Sequence, residues 1–148
     1  MSTQATTIRD ANARALQALP ANTVKNIAEL AGRSLLALLF LLSGVGKIGA
    51  YAATAGYMSS VGVPSVLLPV VIATEVLGAI AVILGWQTRV VALLLAGYAL
   101  LTALVFHNNF ADQIEMIMFF KNVSIAGGFL LLVANGVGPL SLDRRLAR

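Results

Sequence analysis

Four side chains able to donate or exchange protons stand within otherwise apolar stretches: Lys47, Glu75, His107 and Lys121. A lysine ammonium offers three donors to a carbonyl or an anion, a carboxyl can orient such donors or exchange a proton, and an imidazole can link a buried group to water. In hydrocarbon an ionised group costs roughly 2.5 to 3.5 kcal/mol on insertion scales, so it must be paired, neutralised or put to use. Their depths agree. Counted from Arg33, Arg89 and Asn135 as boundary markers, Lys47, Glu75 and Lys121 each lie about 14 residues inward, roughly 21 Å at helical rise. His107, about 18 residues beyond Arg89, closes the same layer. Glu75 and His107 are the candidate catalytic residues, and Lys47, Lys121 and the adjacent Asn122 the candidate ligand-binding ones.

The elements that position this layer must be membrane helices. The 148 residues are 59% hydrophobic and 11% charged, with a mean hydropathy of +0.89, more apolar surface than a soluble domain of this size can bury. Four apolar blocks, at about Ser34–Ile48, Val66–Leu84, Val90–Phe106 and Met116–Ala134, are near the length that crosses a hydrocarbon core of about 30 Å. The expectation is an all-α integral membrane four-helix bundle: a polar arm over residues 1–28, a transmembrane domain over 29–143 and a basic tail over 144–148. The arm has no apolar core with a cleavage site, so it does not read as a signal peptide, and Thr7 to Leu19 permits a short interfacial helix. The segment Gly49 to Pro64 reads as a loop with one surface helix. Gly85-Trp86-Gln87-Thr88-Arg89 reads as a tight hairpin, Gly85 ending one helix and Thr88 capping the next.

Charge sets the expected orientation. Arg9, Arg14, Lys25, Arg33, Arg89, Arg144, Arg145 and Arg148 fall on one side of an alternating bundle, which places both termini in the cytoplasm, N-in and C-in. The ten Lys and Arg residues are scattered around apolar blocks without a dense patch, which speaks against nucleic-acid binding despite the net charge of +4. Cysteine is absent and His107 is the only histidine, so neither an iron–sulfur cluster nor a bis-histidine haem is expected within one chain. No metal site is expected.

Helical phase brings the polar groups inward. The faces read Ala37, Phe40, Ser43/Gly44, Lys47 on the first span and Glu75, Gly78, Val82 on the second. On the third and fourth they read Ala92, Ala96, Ala99, Ala103, His107 and Lys121, Ser124, Gly128. Small residues beneath each polar group allow close backbone approach. Glu75 paired with Lys47, Lys121 or both is the expected arrangement, and a purely structural ion-pair layer is the competing one. Arg33 and Arg89 read as snorkelling anchors, Gly127-Gly128 as helix packing, and Tyr51, Tyr57, Tyr98 and Trp86 as belt or core residues.

Several motifs in order carry a family resemblance: Arg33, then Phe40-Leu-Leu-Ser-Gly44-Val-Gly-Lys47, Glu75-Val-Leu-Gly78, Gly85-Trp-Gln-Thr88-Arg89, Phe120-Lys121-Asn122 with Ala126-Gly-Gly128, and Gly136-Val-Gly138-Pro-Leu-Ser141-Leu-Asp143. Over Ala31 to Asp143 the chain resembles the DoxX family of small four-helix membrane proteins. The resemblance implies a multi-pass protein of a bacterial inner membrane, related to subunits of quinone-linked oxidoreductases such as thiosulfate and terminal quinol oxidation systems. The expected function is a membrane subunit that binds a quinone-like or other small apolar ligand at the Lys/Glu/His layer and serves a redox partner protein, an oxidoreductase role that needs a cofactor or partner. The alternative is a non-catalytic scaffold or assembly factor. A small transporter is disfavoured, since four helices without an inverted repeat leave little room for alternating access. The lipid bilayer is the certain partner, and a homo-oligomer is compatible with the sequence.

Overall fold

The computed structural model describes residues 21–147, and among these every regular element is helical. Helix α1 spans Ala21–Gly49, and α2, Tyr51–Ser60, follows it directly. A 3₁₀ turn at Ser65–Leu67 leads into α3, Leu68–Leu84; α4 spans Thr88–Phe106, α5 Gln113–Asn135 and α6 Leu142–Leu146. Among the described residues, four helical stretches are long and apolar enough to cross a membrane: Asn22–Gly49, Ser65–Leu84, Thr88–Phe106 and Gln113–Asn135. The first extends well before Ser34, because the polar residues from Asn22 to Glu29 contain no helix breaker and continue the same helix outward. The interfacial helix expected within Thr7 to Leu19 lies outside the described residues.

Local chemistry explains the element ends. Pro69 sits in the first turn of α3, where its missing N–H removes no intrahelical bond. Gly85 ends that helix at φ +71°, with Gly85 N–H bonded to Val82 O at 3.1 Å and Trp86 N–H to Ala81 O at 2.9 Å, a paired closure that needs the left-handed conformation. Asp112 caps α5 by accepting from the Ile114 and Glu115 amides at 2.7 and 3.2 Å. Thr88 does not cap α4 as expected. It is the first helical residue, is fully buried, and its place is taken by Asp143, whose carboxylate accepts from Gln87 N–H at 2.7 Å and Thr88 N–H at 2.9 Å.

The bundle is two tightly packed pairs, α1 with α3 and α4 with α5, joined through α3 and α4; α1 only edges α5. Its core holds Ala37, Phe40, Ala79, Val82, Leu95, Ala126 and Phe129, with Ala92, Ala96 and Ala99 forming the inward stripe of α4. Phe40 meets Phe129 edge-on at 5.3 Å between ring centroids. Leu35, Leu42, Val70, Leu77, Leu94, Leu104 and Leu131 are exposed around the outside, the apolar surface that lipid covers.

Candidate functional site

A cavity of about 390 Å³ lies between the two pairs, lined by residues of α1, α3, α4 and α5 and by Thr54, Tyr57 and Met58 of α2. Its floor is polar. Lys47, in the last turn of α1, donates to Glu75 Oε1 at 3.0 Å and Oε2 at 2.9 Å, and to Ser43 Oγ, one turn below, at 2.5 Å. The Tyr98 hydroxyl of α4 donates to Glu75 Oε1 at 2.8 Å. The Glu75 side chain is 6% exposed and that of Lys47 25%, so the carboxylate is sealed and the ammonium lies beside the open space. Gly44 makes this contact available: a Cβ there would lie 2.7 Å from Val76 Cγ2 and 3.1 Å from Glu75 Cβ, so any side chain would push α1 off α3.

The rest of the lining is largely apolar, with Phe40, Met58, Leu67, Val71, Leu101 and Val105 as walls. Tyr57 of α2 stacks on Phe106 at 5.7 Å across the mouth. His107, Lys121 and Asn122 line the same cavity. His107 ends α4, and its Nδ1 lies 2.7 Å from Glu115 Oε2 at the start of α5, tying the two helices together.

The expected convergence of Lys47, Glu75 and Lys121 is met by Lys47 alone. Lys121 shares the cavity but directs its ammonium at Met118 Sδ, 3.0 Å away on its own helix. The reason is adjacency: Glu75 rides on α3, whose close partner is α1, whereas α5 packs on α4. Tyr98 is the residue that reading by type missed. The signal was present in its spacing, since Tyr98 and Thr102 form a polar stripe one turn apart on α4 and both reach the cavity.

A second polar cluster holds the opposite end. Arg33, read as a snorkelling anchor, is instead 3% exposed and donates to the Leu140 carbonyl. It is covered by the segment after α5, which folds back so that Asp143 N–H donates to Gly85 O at 2.9 Å while its carboxylate caps α4. Ser141 fills the space over Gly85, where a Cβ would lie 2.5 Å from the serine Cβ. Burial pushes the Asp143 carboxyl up, but the amide bonds from Thr88 and Gln87, with the nearby Arg33 guanidinium, outweigh it and hold the group below the usual carboxylate range. No group of metal-binding side chains occurs among the described residues.

Comparison with known proteins matches this arrangement to one family. The DoxX family profile covers residues 28–108, from α1 to the end of α4. Inner membrane protein YqjF of Escherichia coli (strain K12) is 46% identical over 123 residues, 83% of this chain and 95% of that protein. Inner membrane protein YphA of the same organism is 42% identical over 123 residues, 78% of this chain and 88% of that protein. No solved structure matches.

Proposed function

Because the chain belongs to the DoxX family and is a multi-pass protein of the inner membrane, we propose that it binds a quinone-like or other small apolar ligand in the cavity between its helix pairs and serves a redox partner there. One observation carries this reading: an apolar space of about 390 Å³, within the range of about 300 to 1,000 Å³ typical of ligand sites, is floored by the Lys47–Glu75 ion pair and rimmed by hydrogen-bond donors. The residues suit a ring bearing carbonyl oxygens. Phe40, Tyr57 and Phe106 offer flat apolar contact, and Lys121, Asn122 and His107 offer donors at the rim. A bound quinone would supply the electron-accepting chemistry, and electrons would come from the partner.

In this reading Glu75 is the proton-holding group. Lys47 and Tyr98 fix its carboxylate, and His107 at the rim stands between the cavity and the aqueous side. The competing role as a scaffold rests on one fact: Lys47 directs bonds to Ser43 Oγ and both oxygens of Glu75, and Tyr98 gives its proton to Glu75, so the floor is self-satisfied.

The two roles separate in a single experiment on purified protein in lipid nanodiscs. Thermal unfolding and binding of a short-tailed quinone are measured on the unmodified chain and on the double variant Lys47→Met with Glu75→Gln. A ligand site predicts quinone-dependent stabilisation of about 2.7 kcal/mol at one hundred times Kd in the unmodified chain. It also predicts a double variant that folds yet loses this gain. Absence of stabilisation at any quinone concentration, with the double variant as stable as the parent, assigns the layer to scaffolding.

A further inference from the structure

The donors of the cavity are not equivalent. Lys47 has each of its three N–H groups directed at an acceptor of the protein, and Tyr98 donates to Glu75. Thr54 and Thr102 donate to carbonyls of their own helices, Ala50 O at 2.9 Å and Ala99 O at 3.0 Å. Lys121 differs from all of these. Its contact is a thioether sulfur, a weak acceptor that compensates no charge, and no carboxylate oxygen among the described residues lies within ion-pair distance of its nitrogen.

Among the lysines and carboxylates that line the cavity, Glu75 is the one carboxylate, and Lys47 neutralises it. Lys121 is therefore the lining lysine without a carboxylate partner among the described residues, and it stands beside Asn122 and next to an apolar interior. In a medium of low dielectric a cation is stabilised far more by an anion than by a neutral carbonyl, because both partners of the hydrogen bond are then ionised.

We propose that the occupant this cavity selects is a single-headed anionic amphiphile, its carboxylate held by Lys121 and Asn122 and its chain lying against the apolar walls. This rests on the cavity being a ligand site, and at Lys121 and Asn122 it favours an acidic headgroup over the neutral carbonyls of a quinone. The volume, near the lower end of the ligand-site range, suits one headgroup and the first part of one chain.

The test uses full-length protein in nanodiscs of zwitterionic lipid, with radiolabelled dodecanoate, its methyl ester and a short-tailed quinone as probes. Lys121→Met removes the charge, Lys121→Arg keeps it, and Lys25→Met makes the same change in net charge at the far end of α1. Lys121 is exposed at the protein surface, and thermal unfolding checks that each variant folds. The expected result is at least tenfold stronger retention of dodecanoate than of the ester, lost in Lys121→Met and kept in Lys121→Arg and Lys25→Met. Equal retention of dodecanoate and ester, or a preference that survives Lys121→Met, overturns the proposal. If quinone binds while dodecanoate shows no preference, the anionic class is wrong and the ligand cavity stands. If folded protein binds none of the three, both readings fall.

Discussion

Glu75 accepts from Lys47 on both oxygens and from Tyr98 on one, and it is the least exposed charged group of the cavity. Removing one partner of a buried pair leaves the other charge unmatched, which costs about 3 to 5 kcal/mol, so Glu75→Gln should lower stability by about 3 kcal/mol. Adding Lys47→Met should restore most of that loss, since a neutral pair has nothing left to compensate. Thermal unfolding of the two single variants and the double variant in one detergent measures the coupling, and additive losses would mean that the contact contributes nothing. Tyr98→Phe is the milder change. It deletes one hydrogen bond to a charged acceptor and should cost about 1.5 to 3 kcal/mol, read in the same melts. Residue types and spacing paired Glu75 with Lys47, Lys121 or both, because an unpaired charge in hydrocarbon is expensive wherever it sits; the choice of Lys47 came from packing. They did not identify Tyr98, whose phenol can serve equally as core, belt or hydrogen-bond donor, and only its neighbour decides which.

Helix α4 shows how an element can depend on a segment remote in sequence. Its first amides are satisfied by Asp143, which lies after α5, and the same aspartate fastens its own N–H to Gly85 O. Asp143→Ala should therefore destabilise by about 1 kcal/mol, the usual cost of losing a side-chain cap, with the loss seen in the unfolding midpoint. The effect depends on pH in a defined sense. The folded-state value is depressed below the ordinary 3.8, so the contribution is fully present above that value and is lost as pH falls from there through the folded value. Melting temperature plotted against pH should fall more steeply below about pH 4 in the parent than in Asp143→Asn, and parallel curves would remove Asp143 from this role. Between α1 and α3 the controlling residue is Gly44. Gly44→Ala should cost about 1 to 3 kcal/mol through the clash with Val76, and the misplaced Lys47 should weaken ligand retention as well.

For the molecule as a whole, the basic residues predict that both ends of the chain face the cytoplasm. Single cysteines introduced at Ser2 and Ala147 in this cysteine-free chain should react with a membrane-impermeant reagent only from the cytoplasmic side; labelling of either from outside overturns the orientation. Sequence by itself determined that the protein is all-helical with four spans, and it grouped Lys47, Glu75, His107 and Lys121, which line one cavity. Those properties follow from apolar length and constant helical rise, which act within one helix at a time. It also gave the inward alanine stripe of α4, since periodicity fixes a face relative to the helix's own axis. Tertiary structure decided which helices are neighbours, and with that the partners. Glu75 meets Lys47 because the flat face at Gly44 lets α1 close on α3, and Lys121 is left with Met118 because α5 packs on α4. Arg33 is buried and Asp143 caps a distant helix because the segment after α5 folds back over Gly85. A charge near a helix end reads the same in sequence whether it reaches water or is covered by chain arriving from far away, and only the packed molecule determines which occurs.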